Sequence, residues 1–164
     1  MKIKLLALLF LFIFVILAAC KKTDTSSCCV GGKVAGVDSS LIAMPDIFTP
    51  NGDGANDLLY VRGKNIASLK ITVSRKSGTV FESTDMALGW GGTYKGKPSK
   101  EKDYSFNVEA VTTSGKTLTL SGVVCIIRDN CSKTSLDHCA FDSQFNGNGY
   151  DLSLPSYESI KSCN

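Results

Sequence analysis

The chain has 164 residues, and its 18 Lys and Arg residues exceed its 15 Asp and Glu residues by a formal net charge of +3. Lys2 and Lys4 supply two of those charges at the extreme N-terminus, so the rest of the chain is close to neutral and no nucleic-acid partner is predicted. Residues 20–164 are enough for one domain of ordinary size with tails.

The N-terminal segment has the pattern of a cleavable export signal. An unbroken apolar run of fifteen residues extends from Leu5 to Ala19, whereas a membrane-spanning helix needs roughly 20. The run ends in Leu-Ala-Ala-Cys at residues 17–20, which resembles the lipobox of bacterial lipoproteins. We therefore predict cleavage of residues 1–19 and acylation of Cys20, with two or three acyl chains anchoring the protein to a membrane. The alternative is an ordinary secretory signal with a chance cysteine.

The other six cysteines flank the middle of the chain, at Cys28, Cys29, Cys125, Cys131, Cys139 and Cys163. An even number in an exported chain favours disulfides, and six cysteines allow fifteen pairings. Cys28 and Cys29 are adjacent and rarely bridge each other, so we expect separate partners beyond Val124 and a loop of about 100 residues. The two cysteines left over would then pair locally. The competing interpretation is a zinc site formed by Cys125, Cys131, His138 and Cys139.

Residues 20–40 predict a lipidated, flexible tether without regular structure, because they are mostly small and polar. From residue 41 to 128, short apolar runs alternate with glycine, serine and asparagine, which is typical of a β domain. The clearest alternation is in residues 68–74, where Leu69, Ile71 and Val73 share one face and are predicted to lie in the core.

A second alternating segment covers residues 104–110 and places Phe106 and Val108 in the predicted core. Residues 113–116 form a plausible hairpin turn, and residues 118–126 form a returning antiparallel strand. Three shorter runs are also predicted strands, at 41–48, 58–61 and 80–83. About seven strands at this spacing indicate an all-β, antiparallel sandwich.

The tail, residues 129–164, is rich in Ser, Asn, Asp and Gly and has few aliphatic residues. Such a segment cannot bury a core of its own. We predict loops that disulfides staple against the sandwich.

One motif resembles a known family. Residues 44–57 read MPDIFTPNGDGAND, which closely resembles the start of the gliding motility-associated C-terminal domain family, and the resemblance continues through residues 89–98 and 122–128. It covers roughly residues 43–128. It implies an immunoglobulin-like (Ig-like) β-sandwich on a cell-surface protein, where the domain serves as an address for type IX secretion across the outer membrane.

Within that motif, Asn51, Asp53 and Asp57 place side-chain oxygens around two glycines. Two interpretations are open: the oxygens cap backbone amides in consecutive turns, or they contribute to a calcium site. No other cofactor is predicted. Trp90, the single tryptophan, is predicted to be a core residue, and its indole N–H needs a partner.

No catalytic site is predicted, because the single histidine, His138, lies in the tail and no nucleophile motif accompanies it. The sequence favours a non-catalytic, lipid-anchored module that docks to or supports other cell-surface, secretion or gliding proteins. Its predicted location is the outer membrane, on a side that the sequence leaves open. The alternative is a type IX secretion substrate in which the domain is only a sorting signal.

Overall fold

The computed structural model describes residues 28–100, 102–128, 131–132 and 136–162. The predicted signal, the predicted acylation site Cys20 and Cys163 lie outside the described residues. Those residues form an all-β structure with one short 3-10 helix, η1 (Asp142–Gln144). The strands are β1 (Lys33–Val37), β2 (Ser40–Met44), β3 (Ile47–Phe48), β4 (Arg62–Lys64), β5 (Ile66–Arg75), β6 (Gly78–Ser83), β7 (Thr93–Tyr94), β8 (Lys97–Pro98), β9 (Asp103–Thr112), β10 (Thr117–Ile126), β11 (Cys131–Ser132) and β12 (Lys161–Ser162).

Two sheets form the sandwich. One has the strand order β1-β2-β4 and the other has the order β3-β10-β9-β5-β6. All pairings within them are antiparallel except that of β3, which runs parallel to β10. The all-β sandwich expected from the sequence is therefore confirmed.

The long strands β5, β9 and β10 supply much of the core. Successive side chains on each strand alternate between the buried and the exposed face of the sheet. The burial pattern of β9 switches at almost every residue, as a strand with one buried face requires. Register places Val73 opposite Phe106 and Ile71 opposite Val108. All four side chains are buried, and so is Leu69, as predicted from the period-2 alternation. The hairpin of β9 and β10 is also confirmed.

Aromatic side chains close one end of this core. Trp90 is buried, its indole N–H donates to the carbonyl of Thr93 at 2.9 Å, and its ring packs on Phe48, Phe81 and Tyr104. Trp90 is thus the core residue that the sequence predicted.

Two sequence expectations are corrected. The predicted tether contains β1, so among the described residues regular structure begins at Lys33 rather than at Leu41. Strand β1 lies at a sheet edge and is largely exposed, so its sequence has no alternation of apolar and polar residues that would predict a strand. The predicted strand at residues 58–61 contributes only an isolated bridge between Leu59 and Trp90, and β4 follows it.

The sandwich has two poles. At the cysteine pole, β1 begins, β10 ends and the hairpin of β5 and β6 turns. At the opposite, turn pole lie the turns at residues 38–39 and 113–116, joined by an ion pair of 2.7 Å between Asp38 and Lys116. Among the described residues, no helix has the length and apolarity to cross a membrane.

Candidate functional site

The loop that carries the FTPNGDGAND motif, residues 48–57, is called the motif loop. Its carboxylates bind the loop's own backbone: Asp57 accepts the amides of Gly52 and Gly54 at 2.7 and 2.9 Å, and Asp53 accepts that of Ala55 at 2.9 Å. Asn51 Oδ1 accepts the amide of Asp53 at 3.0 Å. Both glycines have a positive φ, of 86° and 89°, which explains why glycine stands there.

Asn51, Asp53 and Asp57 thus cap backbone amides of their own loop, as the first of the two interpretations expects. In the part of the chain that the structure describes, no group of three or more His, Cys, Asp or Glu side chains is arranged to hold a metal ion. The calcium alternative therefore gains no support from the arrangement of the loop.

The tail lies directly on the motif loop. Asn56 Nδ2 donates to the carbonyl of Ser156 and to Glu158 Oε1, both at 2.8 Å, and Asn56 Oδ1 accepts the amide of Ser143 at 3.1 Å. The Thr49 hydroxyl also donates to Glu158 Oε1. Residues separated by about 100 positions in sequence are thus joined by a small polar network around Asn56.

The carboxyl group of Glu158 is partly buried and lies close to the carboxylates of Asp53 and Asp57. Partial burial raises the pKa of its carboxyl, and Asp53 and Asp57 raise it further, although the hydrogen bonds from Thr49 and Asn56 act in the opposite direction. Its second oxygen, Oε2, is buried and has no hydrogen-bond partner within the described residues. The tail is therefore docked through a carboxyl group whose charged form is disfavoured.

A charged pair fixes the next part of the tail. Arg62 on β4 binds Asp142 at the start of η1 through two hydrogen bonds, one of them 2.7 Å from Nε to Oδ1. The guanidinium also lies 5.1 Å from the centroid of the Tyr60 ring. Bidentate geometry of this kind sets the orientation of both partners.

The motif loop and the tail enclose a cleft of about 480 Å³. Its walls combine Leu58 and Tyr60, next to the loop, with Ser143 and Tyr157 from the tail. Tyr157 is 72% exposed and has a φ of 60°, which a tyrosine rarely adopts. The cleft is therefore lined on the tail side by an aromatic ring that is largely exposed to solvent.

A buried carboxylate joins the two ends of the described chain. Asp46 is fully buried; its Oδ2 accepts the amides of Val30, Gly31 and Gly32 at 2.6, 2.8 and 3.0 Å, and its Oδ1 accepts that of Ala140 at 2.8 Å. Sequence reasoning missed this role. The available signal was a single acid between the apolar runs that became β2 and β3.

Two disulfides lie around Asp46. Cys28 bonds to Cys125 and Cys29 bonds to Cys139, with Cα atoms 5.6 and 4.1 Å apart. The prediction of separate, distant partners for the adjacent cysteines is confirmed. The zinc interpretation is wrong, because two of its proposed ligands are in different disulfides. The local pairing of Cys131 with Cys163 remains a prediction, since Cys163 is outside the described residues.

Arg128 is a second residue that sequence reasoning did not single out. Its guanidinium donates to the carbonyls of Pro50 and Gly92, at 2.7 and 2.6 Å, and of Ser99 at 3.4 Å. It thereby joins the motif loop to the segment that carries β7 and β8. His138, by contrast, is exposed, and no described side chain is hydrogen-bonded to it.

Comparison with protein families gives one match, over the region that carries this site. Residues 42–126, just over half of the chain, match the model of the CHU_C type IX secretion signal domain. The chain belongs to the CHU_C type IX secretion signal domain family. This confirms the resemblance drawn from the FTPNGDGAND motif, and it associates the protein with the cell surface or with secretion. No curated protein matches the chain.

The CHU_C match also divides the site. The motif loop, Trp90 and the long strands lie inside the matched region, whereas the second wall of the cleft, with Ser143 and Tyr157, lies beyond residue 126. The cleft is therefore a feature that the tail adds to a CHU_C domain.

Proposed function

We propose that this chain is a non-catalytic envelope protein, anchored by acyl chains on Cys20, whose cleft docks another surface, secretion or gliding protein. The observation that carries the proposal is the position of Tyr157, which is largely exposed and lines the cleft together with residues of the motif loop. Tyrosine is enriched at protein interfaces, and an exposed ring that lines a cleft is suited to contact a partner. The family match supports a surface setting.

Crosslinking tests the docking role directly. A photoreactive residue in place of Tyr157 should give a discrete adduct in the native envelope, because the cleft would be occupied by a partner. The matched control replaces Thr119, which is exposed on β10 and far from the cleft in the fold. Adducts at both positions, or at neither, would contradict a docking role for the cleft.

The anchor is tested separately. Mature protein should begin at Cys20 and exceed the mass of unmodified residues 20–164 by its acyl chains. Cys20→Ala should release the protein from membranes. A variant that stays membrane-bound with an uncleaved signal would show that Cys20 is not lipidated.

The second candidate is a sorting signal, which the description of the CHU_C family favours. Fusion of residues 28–162 to a periplasmic reporter discriminates the two functions. A sorting signal should carry the reporter to the cell exterior, whereas a docking module should leave it in the periplasm.

A further inference from the structure

Basic side chains gather on one side of the cysteine pole. They come from the β5–β6 hairpin and from the segment around β7 and β8, and we call them the basic face: Arg75, Lys76, Lys95, Lys97, Lys100 and Lys102. Tyr94 on β7 contacts two of them. The guanidinium of Arg75 and the ammonium of Lys95 lie 5.1 and 5.3 Å from the centroid of its ring, and Lys97 pairs with Tyr94 across the β7–β8 ladder.

The charge of this face is largely uncompensated. Its five lysines are exposed, and the ion pairs formed within the described residues involve none of the six cations. Between residues 94 and 103 the opposite charges are Glu101 and Asp103, and Glu82 on β6 is already paired with Lys70. Clustered cations of this kind produce a local positive potential, although the chain as a whole is nearly neutral.

The chain also enters the sandwich at this pole. Cys28 is bonded to Cys125, and Cys125 lies opposite Asp103 on β9, directly after Lys102. Strands in a sheet are about 4.8 Å apart, so the β5–β6 hairpin lies only about 10–15 Å from β10. Cys28 lies eight positions after Cys20, so the two residues are at most about 30 Å apart when the chain between them is fully extended. An acylated Cys20 would thus hold the cysteine pole near a membrane surface.

We propose that the basic face binds the anionic phospholipid headgroups of the membrane that holds the Cys20 anchor. The proposal rests on the lipid anchor of the proposed function. Phosphate groups at a membrane surface attract clustered lysines within a Debye length of about 8 Å, and a basic cluster is the second attachment that an acylated protein uses.

The basic face also bears on the orientation of the cleft. Arg128 links the segment of the basic face to the motif loop, since it donates to the carbonyls of Gly92 and Pro50. Asp53, Asp57 and Glu158 are acidic residues at the motif loop. An anionic surface attracts the basic face and repels these carboxylates, so we expect the bound domain to keep the cleft turned away from the membrane.

Vesicle binding tests this inference without the acyl chains. Mature chain 20–164 carrying Cys20→Ser, with its disulfides formed, should sediment with vesicles of phosphatidylglycerol and phosphatidylcholine at low salt. It should not sediment with phosphatidylcholine alone, and high salt should release it. No binding to the anionic vesicles at low salt, or equal binding to both kinds, overturns the proposal.

Two triple variants of equal net charge locate the surface. Lys76→Gln, Lys97→Gln and Lys100→Gln together should lower partitioning onto anionic vesicles by about tenfold or more. The control carries Lys64→Gln, Lys70→Gln and Lys116→Gln, away from the basic face, and should bind nearly as well as the parent. Equal losses in both variants would show that only net charge matters.

These results do not depend on lipidation. Failure of vesicle binding with normal release of Cys20→Ala from cell membranes would overturn the basic face and leave the anchor intact. Normal vesicle binding together with a Cys20→Ala variant that stays membrane-bound would overturn the anchor and leave the basic face intact.

Discussion

The sandwich core and the tail are held in place by different interactions. In the core, alternating apolar side chains of β5, β9 and β10 are buried between two sheets, without any cysteine among the central pairs. The tail buries little apolar surface, chiefly Phe141 and Cys139 against Ile47, and depends on a disulfide and on hydrogen bonds to Asp46 and Asn56. The tail is therefore a cross-linked cover, and we expect it to open while the core stays folded.

Reduction of the disulfides should produce the largest difference in stability between the core and the tail. The two bonds span 97 and 110 residues, and closure of a loop of that length is worth at most about 5 kcal/mol in the chain-entropy model. After reduction, amide hydrogens of residues 136–158 should exchange rapidly while those of β9 and β10 stay protected. Loss of protection in both regions at the same rate would mean that core and tail form one cooperative unit.

Truncation of a core side chain should destabilise the sandwich itself rather than only the tail. Phe106→Ala removes a buried ring opposite Val73 and should lower the free energy of unfolding by about 4 kcal/mol. The control is Lys70→Ala on the exposed face, where a surface ion pair of 3.1 Å with Glu82 is worth less than about 1 kcal/mol. Denaturant unfolding measures both. Equal effects would overturn the assigned faces of β5 and β9.

The core was predictable from the sequence because its signal is local. Leu69, Ile71 and Val73 repeat every second residue, so their common face follows from strand geometry alone. Contacts of the tail carry no such signal, since Asn56 and Glu158 are polar residues 102 positions apart that meet only after the chain has folded. The sequence disfavoured a bond between Cys28 and Cys29 but could not rank their partners beyond Val124, and it is the meeting of β1, β3 and β10 at one pole that selects two bonds.

Asp46 offers a smaller perturbation that still acts on the tail. Asp46→Asn replaces one acceptor oxygen by a donor, so the amides of residues 30–32 or of Ala140 lose a charged partner. We expect a loss of about 2–3 kcal/mol, with faster exchange of those amides and of the tail. The matched control is Asp38→Asn, at an exposed turn where the change removes only the pair with Lys116. A lower free energy of global unfolding without faster exchange in the tail would contradict the role of Asp46 in joining the two ends of the described chain.

The smallest effect should come from Glu158, and it concerns pH. Because burial and the neighbouring Asp53 and Asp57 raise the pKa of this carboxyl in the folded chain, the folded form binds the proton more tightly than the unfolded form does. Docking of the tail should therefore be tightest in acid and weaken as pH rises through the raised pKa.

Glu158→Gln tests this, since the amide keeps an acceptor for Thr49 and Asn56 and carries no charge. At neutral pH, tail exchange should slow by a small factor, equivalent to a few tenths of a kcal/mol because the group is about half exposed. The pH dependence of the protection factors at residues 156–158, which correct for the intrinsic pH dependence of amide exchange, should disappear. The control is Asp151→Asn, whose carboxyl is fully exposed and whose pKa is lowered by Ser153. If the pH dependence persists in Glu158→Gln, another group must control the docking of the tail on the motif loop.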